Sequence, residues 1–564
     1  MVDAPLHLLC QLTPRETVSA SAPQWARMWY TVPAMRPIAT NTNDFETLRT
    51  LGQIYVDKTA HLHRMITDTS RSYFFCARPR RFGKSLSVTT MKSIFLGHRE
   101  FFEGLAIAKT DYDWKKYPVI HLNWGKVSVA SIERFDESLD TAMKSALTEA
   151  GYAYDSKLIP SDNLGNAIDS FAAKAESTSG NGAKNRGSVV ILIDEYDDPV
   201  AKALADVELA EQIRTRLADV YAQFKDRTDK IRFLYITGVS KFTKLSIFST
   251  LSSLNDISFE TAFADLYGYT EEELTANFSE HFHERALLMN LSDEEFRKQL
   301  KFWYNGYRFG KVSPTRVYNP VSVALTLTSD VPEFSPSWTA TGRPSMLMNF
   351  IKRQGLLAID YEKGVKAREN DFDVSDIRNL RAIPMLFQTG YLTITDYRNG
   401  RYTLGVPDEE VRRDLMLLVS SQVAEKPETW VTHLLDHLID GEFDLFFRGL
   451  KSLYSDLPYG STEECVHEMS YERVLKALLQ ALGLETAAEP TQTGGRPDVV
   501  ATDGESIWIF ELKKDEPADE GLKQIHERGY AEPYTSRGLP IYAFGLSFDS
   551  ETRQFVEGKV EKLT

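Results

Sequence analysis

The sequence predicts an α/β chain: a parallel sheet covered by helices comes first, a smaller α/β unit comes last, and a mostly helical stretch lies between them. Three observations carry this expectation. The apolar runs SYFFCA, YPVIHLNW, SVVILIDEY and IRFLYITGVS alternate with longer helix-compatible segments, the rhythm of parallel strands joined by helical crossovers. TEEELTANF and SDEEFRKQLKFWY each start with Thr or Ser and carry acidic first turns, which marks helix N-termini in the middle stretch. Short strands return near the end as DVVAT, SIWIFELK and IYAFGL.

Composition sets the outer limits. At 564 residues and 64.0 kDa the chain is long enough for several domains of about 150 residues each. Hydrophobic residues at 42% and charged residues at 26% fit a soluble globular protein. No run approaches the ~18 apolar residues of a membrane span, and the N-terminus lacks the layout of a secretory signal, so a cytoplasmic location is expected. Cys10, Cys76 and Cys465 are too far apart in sequence to suggest a disulfide framework or a cysteine zinc site. A formal net charge of −15 argues against a protein that coats nucleic acid over its whole surface and confines any such contact to a local basic groove.

Residues 1–34 show no sustained period and precede Met35, which reads as a poorly structured or non-native extension. Residues 35–261 are expected to form the first α/β domain. In it FFCARPRRFGKSLS places a basic loop between an apolar strand and an amphipathic helix, the order that nucleotide binding requires. Gly83 lets the backbone approach phosphate, Lys84 supplies a compact charge and Ser85 a hydroxyl for Mg²⁺ at a helix start that favours anions. Arg78, Arg80, Arg81, Phe82 and Leu86 complete the candidate loop, and Arg78 stands where the general motif has glycine. GKS alone also fits a basic turn before a helix.

VVILIDEYDD adds weight by ending a β-branched strand in Asp194 and Glu195, one carboxylate suited to Mg²⁺ and the next to orienting water, although an acidic turn after a core strand has the same look. The intervening strand VIHLNW points to the additional-strand branch of phosphate-loop (P-loop) folds. Thr237 and Ser240 sit where a γ-phosphate sensor is expected, and Asp197 and Asp198 read as solvated or structural.

Residues 262–349 are expected to form a helical lid. Within 350–440, LFQTGYLTITDYRNGRYTLGVPDEEVRRDLMLLV places Asn399-Gly400 between two alternating segments, a strong hairpin signal, and a helix follows; the region reads as winged-helix-like. In the last unit, 441–564, strict alternation in SIWIFELKK puts Ile507, Ile509, Glu511 and Lys513 on one face and Trp508, Phe510 and Leu512 on the other. A two-residue hairpin at Asp503-Gly504 pairs Thr502 with Glu505 and sets Asp498 opposite Ile509, diagonal to Glu511 at roughly 7–8 Å between α-carbons. Two such acids can share Mg²⁺ or Mn²⁺ for phosphodiester hydrolysis, with Lys513 offsetting charge, Glu468 adding a further acid and Gln524 orienting the site. A structural Asp498–Lys513 ion pair is the competing reading.

Taken together, DFETLRTLGQIYVDKT, RPRRFGKS, LIDEYDDPV, TGVSKFTKLSIFSTLSSLNDIS, FWYNGYRFG, YNP, LFQTGYL and GRPDVV…FELK resemble a bacterial family that joins an AAA-ATPase-like domain to a C-terminal PD-(D/E)xK nuclease domain. The resemblance runs from about Met35 to the end, and the arginine-first loop is a family trait. It implies an ASCE-type P-loop sheet followed by a restriction-endonuclease-like domain, with ATP and Mg²⁺ on Lys84 and Ser85. It further implies Asp194 and Glu195 as the Walker B pair, Asp498, Glu511 and Lys513 as nuclease core, Glu468 and Tyr471 as a Glu-x-x-Tyr pattern, and Arg308 reaching the nucleotide from the lid. The expected function is ATP hydrolysis coupled to metal-dependent cleavage of DNA, ahead of RNA, by a chain free to form homo-oligomers. The alternative is an ATP-dependent switch or nucleic-acid-binding module with an inactive nuclease-like domain.

Overall fold

The computed structural model describes residues 35–178, 187–241, 251, 253–336, 364–372, 381–424, 426–455, 471–481, 484–486, 496–552 and 554–564. The expectations for residues 1–34, Cys10, Cys465 and Glu468 lie outside the described residues. Among the described residues, no helix is long and apolar enough to cross a membrane.

The first sheet contains β1 (Tyr73–Ala77), β2 (Val119–Asn123), β3 (Val189–Asp194), β4 (Ile231–Gly238) and β5 (Asn255–Asp256), in the order β2-β3-β4-β1-β5. All its pairings are parallel. Every residue of β1 and β3 is buried, as strands covered by helices on both faces require, and this explains their unbroken apolar runs. Strand β4 lies between β1 and β3, as the additional-strand expectation has it. Helix α1 (Lys84–Leu96) follows β1 directly and buries Val88, Met91, Ile94 and Phe95 against the sheet, leaving Leu86 half-buried.

The middle stretch holds α2 (Glu271–Leu288) and α3 (Asp293–Tyr304), each opened by a complete capping box, Thr270 with Glu273 and Ser292 with Glu295. Leu274, Phe278, Phe282, Phe296, Leu300 and Trp303 give the pair its own core. The strands β6 (Asn305–Tyr307) and β7 (Val317–Tyr318) pair next, and α4 (Pro320–Thr328) starts with proline in its first turn behind an Asn319 cap.

A three-stranded antiparallel sheet follows, β8 (Val365–Arg368), β9 (Thr393–Arg398) and β10 (Arg401–Gly405), in the order β8-β10-β9, with α5 (Ala382–Thr389) entering it. Asn399 (φ 51°) and Gly400 (φ 76°) make the two-residue turn the sequence calls for, because both central positions take positive φ there. Helices α6 (Glu409–Ala424), α7 (Glu428–Ile439), α8 (Phe443–Ser455) and α9 (Tyr471–Ala481) lead into the last unit, where α6 packs against α9.

The last sheet has the order β11-β12-β13-β14-β15, formed by Glu485–Thr486, Val499–Thr502, Ile507–Lys514, Ile541–Phe548 and Phe555–Lys562; β13 and β14 run parallel and the other pairs antiparallel. Ile507 and Ile509 pack with Ile525, Tyr530 and Tyr534 on one face, while Trp508 and Phe510 join the other core, so the alternation holds. Helix α10 (Ala518–Glu527) lies so close to the sheet that a Cβ on Gly545 would meet the Ala518 carbonyl oxygen at 2.0 Å.

The hairpin register corrects the sequence reading. Val499 pairs with Phe510 and Thr502 with Ile507, so the connection has four residues rather than two. The cause is local: the Asp503 carboxylate accepts the amides of Glu505 (2.8 Å) and Ser506 (2.7 Å), drawing both into the turn. Continued by one residue, this register sets Asp498 directly opposite Glu511 instead of diagonal to it.

Candidate nucleotide and nuclease sites

The loop after β1 turns through two left-handed residues, Arg81 (φ 69°) and Gly83 (φ 91°), before α1 begins at Lys84. Only glycine takes such a φ without steric cost, which accounts for Gly83. Lys84 is buried and reaches across the loop to the carbonyls of Arg78 (3.0 Å) and Pro79 (2.7 Å). Burial lowers its ammonium to about 8, with Asp194 and Asp197 opposing that shift. Asp194 ends β3 beside Ser85, and Asn123 on the neighbouring strand approaches its Oδ2 at 3.4 Å. The other oxygen of Asp194 is buried with no hydrogen-bond partner, and burial pushes the carboxyl up. A buried lysine, a hydroxyl and an under-coordinated carboxylate at one loop suit a phosphate with its Mg²⁺.

Glu195 follows in a left-handed conformation (φ 54°) and lies over Gly125, where a Cβ would meet its Oε2 at 1.5 Å. Burial, then the charge of Asp194, raises its carboxyl. Asp197 is structural: buried, it accepts the amides of Val239 (3.1 Å) and Ser240 (2.7 Å) and also the Ser240 hydroxyl. Arg80 approaches Asp198 at 3.7 Å, and Arg81 faces Glu410 and Asp414, whose charges oppose the lowering of its guanidinium by burial.

Four expected nucleotide contacts point elsewhere. The Arg78 guanidinium, 2% exposed, donates to the carbonyls of Ala77 (2.9 Å), Ser258 (2.6 Å) and Phe263 (3.2 Å) and lies over the Phe309 ring at 4.4 Å. It clamps the end of β1 to the segment after β5. The Thr237 hydroxyl donates to the Cys76 carbonyl (2.8 Å) within the sheet, and the Ser240 hydroxyl is held by Asp197. Arg308 donates to the carbonyls of Gly310 (3.3 Å), Thr395 (3.3 Å) and Lys311 (2.8 Å), bracing the hairpin rather than the loop. Phe82 packs edge-on against Tyr307 and Phe309 at 4.7 and 5.3 Å, anchoring the loop to the segment after α3.

In the last unit, the Asp498 carboxylate accepts the Leu512 amide at 2.8 Å. Glu511 is 4% exposed, receives Lys513 at 3.3 Å on one oxygen and has no partner on the other. Burial and then the Asp498 charge push its carboxyl up to about 7, and burial also raises Asp498. Lys513 donates as well to Gln524 on α10, whose amide in turn reaches the Tyr530 hydroxyl at 3.2 Å. Sheet and helix thus bring Asp498, Glu511, Lys513 and Gln524 together. Among the described residues there is no group of three or more candidate metal ligands. The Asp498–Glu511 pair, with its unpartnered buried oxygen, still fits a hard divalent cation that takes further oxygens from water and phosphate.

A family profile described as "Predicted AAA-ATPase" matches residues 37–248, and one for the PD-(D/E)XK nuclease superfamily matches 466–558. The chain is also 30% identical over 524 residues, 90% of its own length and 95% of the relative's, to an uncharacterized protein in the vnfD 5′ region of Azotobacter chroococcum mcd 1. It belongs to the AAA-ATPase-like family that ends in a PD-(D/E)XK nuclease-superfamily domain.

Membership gives the chain an ATPase-like and a nuclease-like domain, and the geometry adds residues that the sequence does not single out. A cavity of about 520 Å³ opens beside the AAA-ATPase-like loop, walled on its far side by Ile38, Ile54, Tyr269, Phe278, Val321 and Ala324. Ile38 and Ile54 lie before β1, Tyr269 just before α2, Phe278 on α2, and Val321 and Ala324 on α4. The cap of α2 is visible in sequence, but which apolar residues of α2 and α4 converge on the loop is a tertiary matter.

Proposed function

We propose that this chain is a metal-dependent nuclease acting on DNA whose activity is governed by ATP binding and hydrolysis. The observation that carries the reading is the meeting of Asp498 and Glu511 on one face of the last sheet, with Lys513 held beside them by Glu511 and Gln524. In this reading Asp498 and Glu511 hold Mg²⁺ or Mn²⁺. When bound, such an ion activates water and screens charge at a phosphodiester. Lys513 offsets charge on the phosphate, and Gln524 fixes the lysine's direction.

At the other site Gly83, Lys84 and Ser85 receive the phosphates of ATP with Mg²⁺, Asp194 shares the ion, and Glu195 orients water. The apolar wall of the cavity receives the base. The domain limits that suit this assignment are 35–261, 262–349, 350–440 and 441–564. The last start is supported by Phe443 and Phe446, which pack on Phe544 at 5.3 and 6.3 Å. Coupling is supported by α6, whose Glu410 and Asp414 face Arg81 of the loop and which packs on α9.

Digestion of plasmid and linear DNA with Mg²⁺ or Mn²⁺, with and without ATP, tests the reading; no cleavage under any of these conditions rejects it. Lys84→Ala is expected to weaken binding of a fluorescent ATP analogue by about a hundredfold, the equivalent of two charge-assisted hydrogen bonds. Glu195→Gln should leave that binding intact and slow phosphate release by about a hundredfold or more; equal release from both proteins would remove Glu195 from the reaction.

A further inference from the structure

The three-stranded sheet β8-β10-β9 has one buried and one exposed face. Ala367, Ile394, Tyr402 and Leu404 are buried on the inner side. On the outer side, Arg401 is paired directly with Arg368 on β8 and with Arg398 on β9, so three exposed arginines stand in one cross-strand row at the hairpin tip. Like charges directly opposite one another destabilise a sheet, since side chains in such pairs stand only about 5 Å apart at Cβ. The local acids offset the row only in part. Asp396 pairs with Arg398 at 3.0 Å, Asp371 is engaged by Arg381 at 2.6 Å, and Glu369 by Lys311 at 2.6 Å. The Arg398 side chain stays 83% exposed even with its partner, and Lys366 extends the basic face two residue pairs further along, opposite Thr403. In a chain of net charge −15 this is a concentrated exception.

We propose that this outer face is a docking surface for the phosphodiester backbone of duplex DNA, centred on Arg368, Arg398 and Arg401. The choice of partner rests on the nuclease reading above, and the charge pattern supplies the location. A row of guanidinium groups on a rigid two-residue hairpin presents forked donors to successive phosphates, and a polyanion removes the repulsion that the free sheet tolerates. Contacts of this kind position a duplex without reading its sequence. The surface would therefore deliver DNA to the Asp498–Glu511 centre irrespective of sequence.

The test is fluorescence anisotropy of a short labelled DNA duplex with the full-length chain, without divalent metal, across a salt series. The triple variant Arg368→Gln/Arg398→Gln/Arg401→Gln is expected to bind at least about tenfold more weakly at ~0.1 M salt, with a salt slope smaller by about 3, equally for unrelated sequences. Asp396→Asn should tighten binding. DNA-free thermal melting of the triple variant should show no loss of stability, because a repulsion has been removed; Arg398→Gln alone, at the most exposed position, gives a smaller change of the same sign. Unchanged affinity and slope in the triple variant, with wild-type cleavage intact, would overturn the surface and leave the nuclease reading standing. Arginine-dependent binding without cleavage under any metal condition would do the reverse.

Discussion

Glu511→Gln is expected to abolish metal-dependent cleavage while making the metal-free protein more stable above pH 7. Glu511 is buried with one oxygen unpartnered, and burial with the Asp498 charge raises its carboxyl from 4.5 to about 7. A carboxyl raised on folding binds its proton more tightly in the native than in the unfolded chain. Stability therefore falls as pH rises between 4.5 and about 7, and the full penalty applies above that window. Glutamine removes the ionisation and keeps an oxygen for Lys513, so a gain of about 1–2 kcal/mol is expected at pH 8 and little change at pH 5. The same substitution removes a metal-binding charge worth several kcal/mol in the transition state, which predicts a loss of about 10³-fold or more in plasmid nicking. Urea denaturation at the two pH values and a nicking assay with Mn²⁺ give both readouts. Lower stability at pH 8 would refute the electrostatic account, and persistent nicking would remove Glu511 from the catalytic centre.

Arg78→Gly would make the loop conform to the general glycine-first motif, yet it is expected to damage the protein. The substitution strips donors from the carbonyls of Ala77, Ser258 and Phe263 and takes away the cation resting on Phe309. Buried carbonyls without donors, together with the lost packing, predict a cost of about 3–5 kcal/mol. Nucleotide affinity measured well below the unfolding midpoint should change far less than in Lys84→Ala, because the guanidinium faces the core. The reverse pattern, with stability kept and affinity lost, would return Arg78 to the nucleotide site.

Much of this was legible in the chain itself, for identifiable reasons. The alternation of SIWIFELKK fixed which side chains share a face, and that survived an error in turn length. The observed register differs from the two-residue hairpin by two positions, and an even shift preserves faces. Asp498 and Glu511 therefore still meet, and more directly than expected. The turn is longer than Asp-Gly predicts because the Asp503 side chain draws in two extra amides, a choice that Asp-Gly alone does not reveal. Strand β5 has only two residues, Asn255 and Asp256, and no pattern to detect; it pairs because Phe74 and Phe75 of β1 lie beside it. Residue type and position placed Thr237 and Arg308 near the expected elements, but side-chain direction depends on neighbours far away in sequence, such as the carbonyls of Cys76 and Thr395.

One apolar cluster runs from Phe74 and Ile191 in the first sheet through Leu386, Leu415 and Leu450 to Phe510 and Phe544 in the last. The AAA-ATPase-like and nuclease-like domains thus share one apolar cluster, and thermal unfolding should be strongly cooperative across them. Severing the tail from the remainder would strip a hydrophobic seam on both fragments and leave each prone to self-association.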